Sequence, residues 1–116
     1  MKVKVEFFVL PDGTVPVQNY LESLDSKQKA KTARVINQLS ELGTELRMPN
    51  SEPLSDGLFQ LRTHFRNDQI RIIYFFVVNS KAVLTNAFTK KTRKTPKKEI
   101  KLALERRNDY IRRFCK

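Results

Sequence analysis

Apolar and polar positions along this chain fall into two periods, and the switch between them outlines the fold. Val3, Val5, Phe7 and Val9 alternate with Lys2, Lys4, Glu6 and Phe8, which predicts a strand with one buried face. Pro11-Asp12-Gly13 supplies turn chemistry after it. From Pro16, a residue suited to the first helical position, Val17, Tyr20, Leu21 and Leu24 recur at helical spacing. Asp25-Ser26 ends that short helix and can cap a second one. The second helix carries a stripe of Val35, Ile36, Leu39 and Leu42, with Gly43 as its stop. Residues 44 to 57, rich in Pro, Asn, Ser, Asp and Gly, read as a loop.

Three strand-like runs follow. Over Leu58 to Arg66, Phe59, Leu61 and Phe65 share one face, while Gln60, Arg62, His64 and Arg66 share the other. Asn67-Asp68 is the expected hairpin turn. Ile70 to Val78 is almost continuously apolar, as in a central strand covered on both faces. Asn79-Ser80 turns the chain again, and Ala82 to Phe88 forms the last strand. The final helix is expected from about Pro96, capped by Thr95. Its stripe is Ile100, Ala103, Leu104, Tyr110, Ile111 and Phe114, interrupted by Arg107. The order β-α-α-β-β-β-α predicts a small α+β domain, with a helical hairpin over a mainly antiparallel sheet and part of the other face open. With 116 residues, no internal repeat and no linker, residues 1–116 are expected to form one domain.

Charge alters this otherwise ordinary picture. The chain has 23 basic and 12 acidic residues, a formal net charge of +11. From Ala87 to Lys116 there are twelve Lys or Arg and three acids, so this end carries +9 of it. Like charges crowded where a strand passes into a helix repel one another, and a polyanion relieves that repulsion. Lys97 and Lys98 fall in the first turn of a helix, where the dipole favours acids, at a cost of order 0.3–1 kcal/mol each. With Lys90, Lys91, Arg93 and Lys94 they point to a phosphate backbone.

Several chemistries find no support. The lone Cys115 excludes an internal disulfide framework and a Cys-based metal site. His64 is the only histidine, and no Gly-rich phosphate loop occurs, so neither a metal nor a cofactor is expected. The opening MKVKVEFFVL alternates too strictly for a signal peptide, so a cytoplasmic protein is expected. An active site would be built from Arg, Lys, one His and aromatics. Arg62, His64 and Arg66 share a strand face that is either solvated or functional. Arg71 sits within Ile70-Arg71-Ile72-Ile73-Tyr74-Phe75-Phe76, where a charge is costly unless paired, with an acid such as Glu6, or presented into a groove.

The chain resembles the RelE/ParE toxin superfamily, and specifically its HigB-like, phage-related branch. The resemblance rests on Gly57-Leu58-Phe59-Gln60-Leu61-Arg62, Ile70-Arg71-Ile72-Ile73-Tyr74-Phe75, Ala87-Phe88-Thr89-Lys90-Lys91-Thr92, Lys94-Thr95-Pro96-Lys97-Lys98-Glu99-Ile100, and Ala103 with Arg106-Arg107-Asn108-Asp109-Tyr110. It implies a type II toxin that cuts mRNA, usually in the ribosomal A site, and is silenced by a HigA-like helix-turn-helix antitoxin. It also implies catalytic roles for Arg62, Arg71, Lys90 and Lys91. His64, which the family block does not carry strongly, is a second candidate base because an imidazole is intrinsically better matched to neutral pH. Arg66, Arg93, Lys94, Lys97 and Lys98 would then guide RNA. Relatives place an aromatic or histidine acid near the start or end of the last helix, where this chain starts with Lys97 and Lys98. Two other readings share these features: a ParE-like gyrase poison and a nucleic-acid-binding module without catalysis.

Overall fold

The computed structural model describes residues 2–78, 81–90 and 94–115. The expected Asn79-Ser80 turn, together with Lys91 and Arg93, lies outside the described residues. The elements are β1 (Lys4–Phe7), α1 (Pro16–Glu22), α2 (Ser26–Leu42), β2 (Ser51–Pro53), β3 (Phe59–Phe65), β4 (Asp68–Val77), β5 (Lys81–Lys90) and α3 (Lys97–Phe114). They make an α+β fold around one five-stranded sheet, ordered β1-β5-β4-β3-β2. β1 runs parallel to β5, and the remaining neighbours are antiparallel. Among the described residues, no helix is long and apolar enough to cross a membrane.

Period-two patterning divides the core between the two sheet faces. Leu61, Ile72, Tyr74 and Leu84 pack under the hairpin residues Val17, Val35 and Leu39. On the other face Leu58, Ile73, Phe75 and Val83 pack under Ala103 and Tyr110 of α3. β4 is therefore covered on both sides, as its continuous apolar run predicts. Along this second face the residue types change: Ile73 and Phe75 lie in the apolar cluster, whereas Arg71 and Gln69 line an open groove.

The elements differ from the expected order in one respect: an additional strand, β2, lies within the expected loop. Its three residues pair with Phe59–Leu61 at the sheet edge, where Pro53 is tolerated. Smaller corrections follow from local geometry. β1 stops at Phe7; Phe8, placed by alternation on the face expected to be polar, is buried on the α3 side of the core, and Val9 is exposed. The β3–β4 turn is Arg66-Asn67, because Phe65 pairs with Asp68, and Arg66 takes a positive φ of 57°. Thr95 does not cap α3: Pro96 is the cap residue, and the Thr95 hydroxyl bonds Gln60 Oε1 at 2.9 Å. Ile111 and Phe114 are exposed at the end of α3, beyond the buried Tyr110. Arg107, the break in the stripe, donates to the Asp56 carbonyl and ties α3 to the turn before β3.

β4 and β5 also lose step once. Ile73 pairs with Asn86 but Tyr74 pairs with Leu84, leaving Thr85 as an extra residue. Its hydroxyl donates 3.1 Å to the Ile73 carbonyl, and its own carbonyl accepts 2.8 Å from Arg106. Such a bulge shifts every later residue of the strand to the opposite face.

The helical hairpin owes its sharp corner to a reciprocal cap. Asp25 Oδ1 accepts from the Gln28 N–H at 2.8 Å, and Gln28 Oε1 accepts from the Asp25 N–H at 3.4 Å. At the far end Gly43, with φ of 58°, stops α2 in a conformation that glycine adopts without strain. Asp25→Ala is expected to lower unfolding free energy by about 0.5–2 kcal/mol, read as a lower urea midpoint with an unchanged slope.

Candidate nucleic-acid interface

The change of character along the α3 face creates the site. Arg62 of β3 pairs directly with Arg71 of β4, and Arg71 pairs on its other side with Phe88 of β5. Paired residues share a face, so Arg62, Arg71, His64, Gln69 and Lys90 all project to one side. Without the bulge at Thr85, Lys90 would face the helical hairpin instead. An open groove of about 830 Å³ is lined by Glu52, Arg62, His64, Arg66, Asn67, Gln69 and Arg71. Of the sequence-based candidates it brings together Arg62, His64, Arg66 and Arg71.

Arg71 is only 4% exposed. Its Nη1 donates to the Ile70 and Thr63 carbonyls at 3.0 and 3.3 Å, and its Nη2 to Gln69 Oε1 at 2.5 Å. Among the described residues Nε has no hydrogen-bond partner. The expected alternative, a pair with Glu6, does not occur. Glu6 instead accepts from the buried Tyr110 hydroxyl at 2.5 Å and lies 3.6 Å from Lys81. Burial, followed by the nearby charge of Arg62, pushes the Arg71 guanidinium below its ordinary range, against an opposing pull from Glu52.

Lys90 is a strand residue, not part of the connection after the strand as expected. It lies opposite Gln69 and is 7% exposed. Burial lowers its pKa first and the charge of Arg71 second, with Arg62 adding to both and Glu52 opposing them. A buried ammonium beside two guanidiniums has reason to shed its proton earlier than an exposed lysine.

Two residues of this site were not predicted. Glu52 of β2 stands 3.5 Å from Arg62 Nη1 and accepts 3.1 Å from the Gln60 amide. Gln60, 2% exposed, accepts the Thr95 hydroxyl with its other end. A chain of polar contacts therefore runs from Arg62 through Glu52 and Gln60 to the residue before the α3 cap. Asn86 adds a second tether, its amide donating to Glu99 Oε1 at 2.9 Å. Together they hold the start of α3 beside the groove. The one available sequence signal was Gln60 itself, a polar residue between Phe59 and Leu61 on the face that later proves buried. Lys94, Lys97 and Lys98 are exposed at this end of α3, and none of them lines the groove.

The arrangement can clamp a phosphate between two arginine forks, with Lys90, an amine of lowered pKa, on the same face and a histidine lining the groove. Comparison with known proteins points the same way. The family described as phage derived protein Gp49-like (DUF891) matches residues 19–108. Two curated relatives, each named "Probable endoribonuclease HigB1", come from Mycobacterium tuberculosis strains CDC 1551 / Oshkosh and ATCC 25618 / H37Rv. Each is 30% identical over 86 residues, spanning 74% of this chain and 68% of the relative. The chain thus belongs to the phage-derived Gp49-like family, a family of RelE/HigB-type toxins.

Proposed function

We propose that this chain is the toxin of a type II toxin–antitoxin pair, an endoribonuclease that cuts translated mRNA at the ribosome in the cytoplasm and is silenced by a HigA-like helix-turn-helix antitoxin. The observation that carries this reading is the direct opposition of Arg62 and Arg71 on neighbouring strands, with Lys90 on the same face. Like charges paired across a sheet destabilise it, and a bound phosphate reverses the sign of that interaction. The endoribonuclease name of the mycobacterial relatives supports the reaction class.

The reaction is attack of a ribose 2′-hydroxyl on the adjacent phosphorus. The P–O5′ bond breaks as the P–O2′ bond forms, leaving a 2′,3′-cyclic phosphate and a 5′-hydroxyl. Arg62 and Arg71 hold the non-bridging oxygens and stabilise the charge that grows on them. Lys90, in its neutral form, takes the 2′-hydroxyl proton, and His64 at the groove rim returns a proton to the departing 5′-oxygen. Glu52 positions the Arg62 fork. Lys94, Lys97 and Lys98, with Lys91, Arg93 and Arg66, guide the flanking backbone.

Arg71→Ala should lower cleavage about 10²–10³-fold, the loss typical of one charge-stabilising donor. Arg71→Lys should restore only part of it, because an ammonium cannot hold two oxygens at once. Growth arrest and mapped transcript 5′ ends after induction give the readout. Codon-registered cuts within translated frames are expected, whereas DNA breaks with intact transcripts would indicate gyrase poisoning instead.

Lys90 gives a separate, pH-dependent test. Its folded pKa lies below the ordinary lysine value, so between those two points the unfolded chain binds the additional proton and stability rises with pH. Lys90→Met should abolish cleavage yet raise stability near neutrality. Its stability advantage over wild type should shrink as pH rises through that window, as read from urea melts at a series of alkaline pH values.

A further inference from the structure

A second line of cations leads away from the groove along α2. Lys27, Lys31, Arg34 and Gln38 are spaced by four, three and four residues, so they form one stripe on the helix. α2 contains a single acid, Glu41, and that carboxylate pairs with Lys2 at 3.5 Å. Among the described residues neither Lys31 nor Arg34 makes an ion pair. Like charges at these spacings oppose helix formation by a few tenths of a kcal/mol per pair.

The stripe connects to the groove. A cleft of about 290 Å³ is bounded by Arg62, His64 and Arg71 on one side and by Lys31, Asn50 and Thr63 on the other. A second cleft, of about 230 Å³, continues from Lys31, Asn50 and Thr63 to Arg34 and Gln38. Both skirt the part of β3 that β2 leaves uncovered, since β2 pairs only with Phe59–Leu61. Two contacts fix the rim. Lys31 Nζ donates to the His64 carbonyl at 2.7 Å, and the Asn50 amide donates to Gln38 Oε1 at 2.8 Å.

We propose that Lys31 and Arg34 form a second phosphate-binding segment for single-stranded RNA, continuing the path of the strand from the groove across the open edge of β3 onto α2. The inference rests on the RNA-cleaving reading above. It commits to nucleic-acid phosphate because Lys31, Arg34, Arg62 and Arg71 line the two clefts, with no carboxylate among their lining residues. The two segments meet at His64, whose ring lines the groove and whose carbonyl anchors Lys31.

The test compares wild type, Lys31→Ala/Arg34→Ala and Arg71→Ala by anisotropy with a long 2′-O-methylated RNA, which cannot be cleaved, and with a trinucleotide. Removing two phosphate contacts should reduce the slope of log affinity against log salt by about 1.4, at roughly 0.7 per contact on a single strand. The affinity advantage of long RNA over trinucleotide should narrow in the double variant. Lys31→Arg/Arg34→Lys should restore both, separating charge from any effect on the helix. If the double variant keeps the wild-type slope while Arg71→Ala loses affinity, the α2 segment is refuted and the nuclease reading stands. Wild type without salt-dependent affinity for free RNA would also refute the α2 segment, while the nuclease reading stands or falls on the mapped transcript 5′ ends.

Discussion

A strand buried on both faces can carry an arginine only where one of its covers ends, and the site depends on that constraint. β4 places Ile73 and Phe75 under α3 and Arg71 two residues further along the same face. The guanidinium there cannot retreat into water, and it cannot be neutralised by a distant acid, because Glu6 is engaged with Tyr110 and Lys81. It is held by backbone carbonyls and one amide oxygen, which fix its direction without cancelling its charge. Neighbouring Arg62 and Lys90 then have little choice but to share the same field. The groove thus gathers like charges whose repulsion a bound anion would relieve.

Much of this could be read from residue periodicity, and the failures have physical reasons. The alternation in Val3–Phe7 and Phe59–Phe65, the apolar run of β4 and the Asp25 cap are local signals, and each reappears as an element. β2 escaped notice because three residues ending in proline carry no period at all. Glu52 was missed with it. Thr95 fits a helix cap locally, but the buried Gln60 amide offers its hydroxyl a tertiary partner, and propensity yields to that contact. Ile111 and Phe114 continue the apolar stripe of α3 by spacing alone, yet Phe114 is 62% exposed. Period identifies a face but does not say how far its cover extends.

The candidate site was legible to a similar depth. Strand parity groups Arg62, His64 and Arg66, and they line one groove. That Arg71 belongs with them follows from register, which a sequence does not display. The burial of Lys90 was beyond reach for the same reason: its side depends on the bulge at Thr85, earlier in the strand. The cations after β5 were conspicuous in sequence, while the carboxylate that orders the site, Glu52, lies in a segment that looked like plain loop. Density of charge drew attention to the rim of the site rather than its centre.

The extra residue at Thr85 gives β5 two reading phases. Up to Leu84 one parity of the strand, with Val83, faces α3; from Asn86 onward the other parity does, with Asn86, Phe88 and Lys90 on that side. The side chains facing α3 are therefore set by two registers of one strand, joined by a single spacer whose hydroxyl and carbonyl are both occupied. Sequence change within either half leaves the other in phase. A gain or loss of one residue at the spacer would exchange the two sides wholesale, turning Lys90 toward the hairpin core and Thr89 toward the groove. For this family member, length at that point is a more stringent requirement than residue identity.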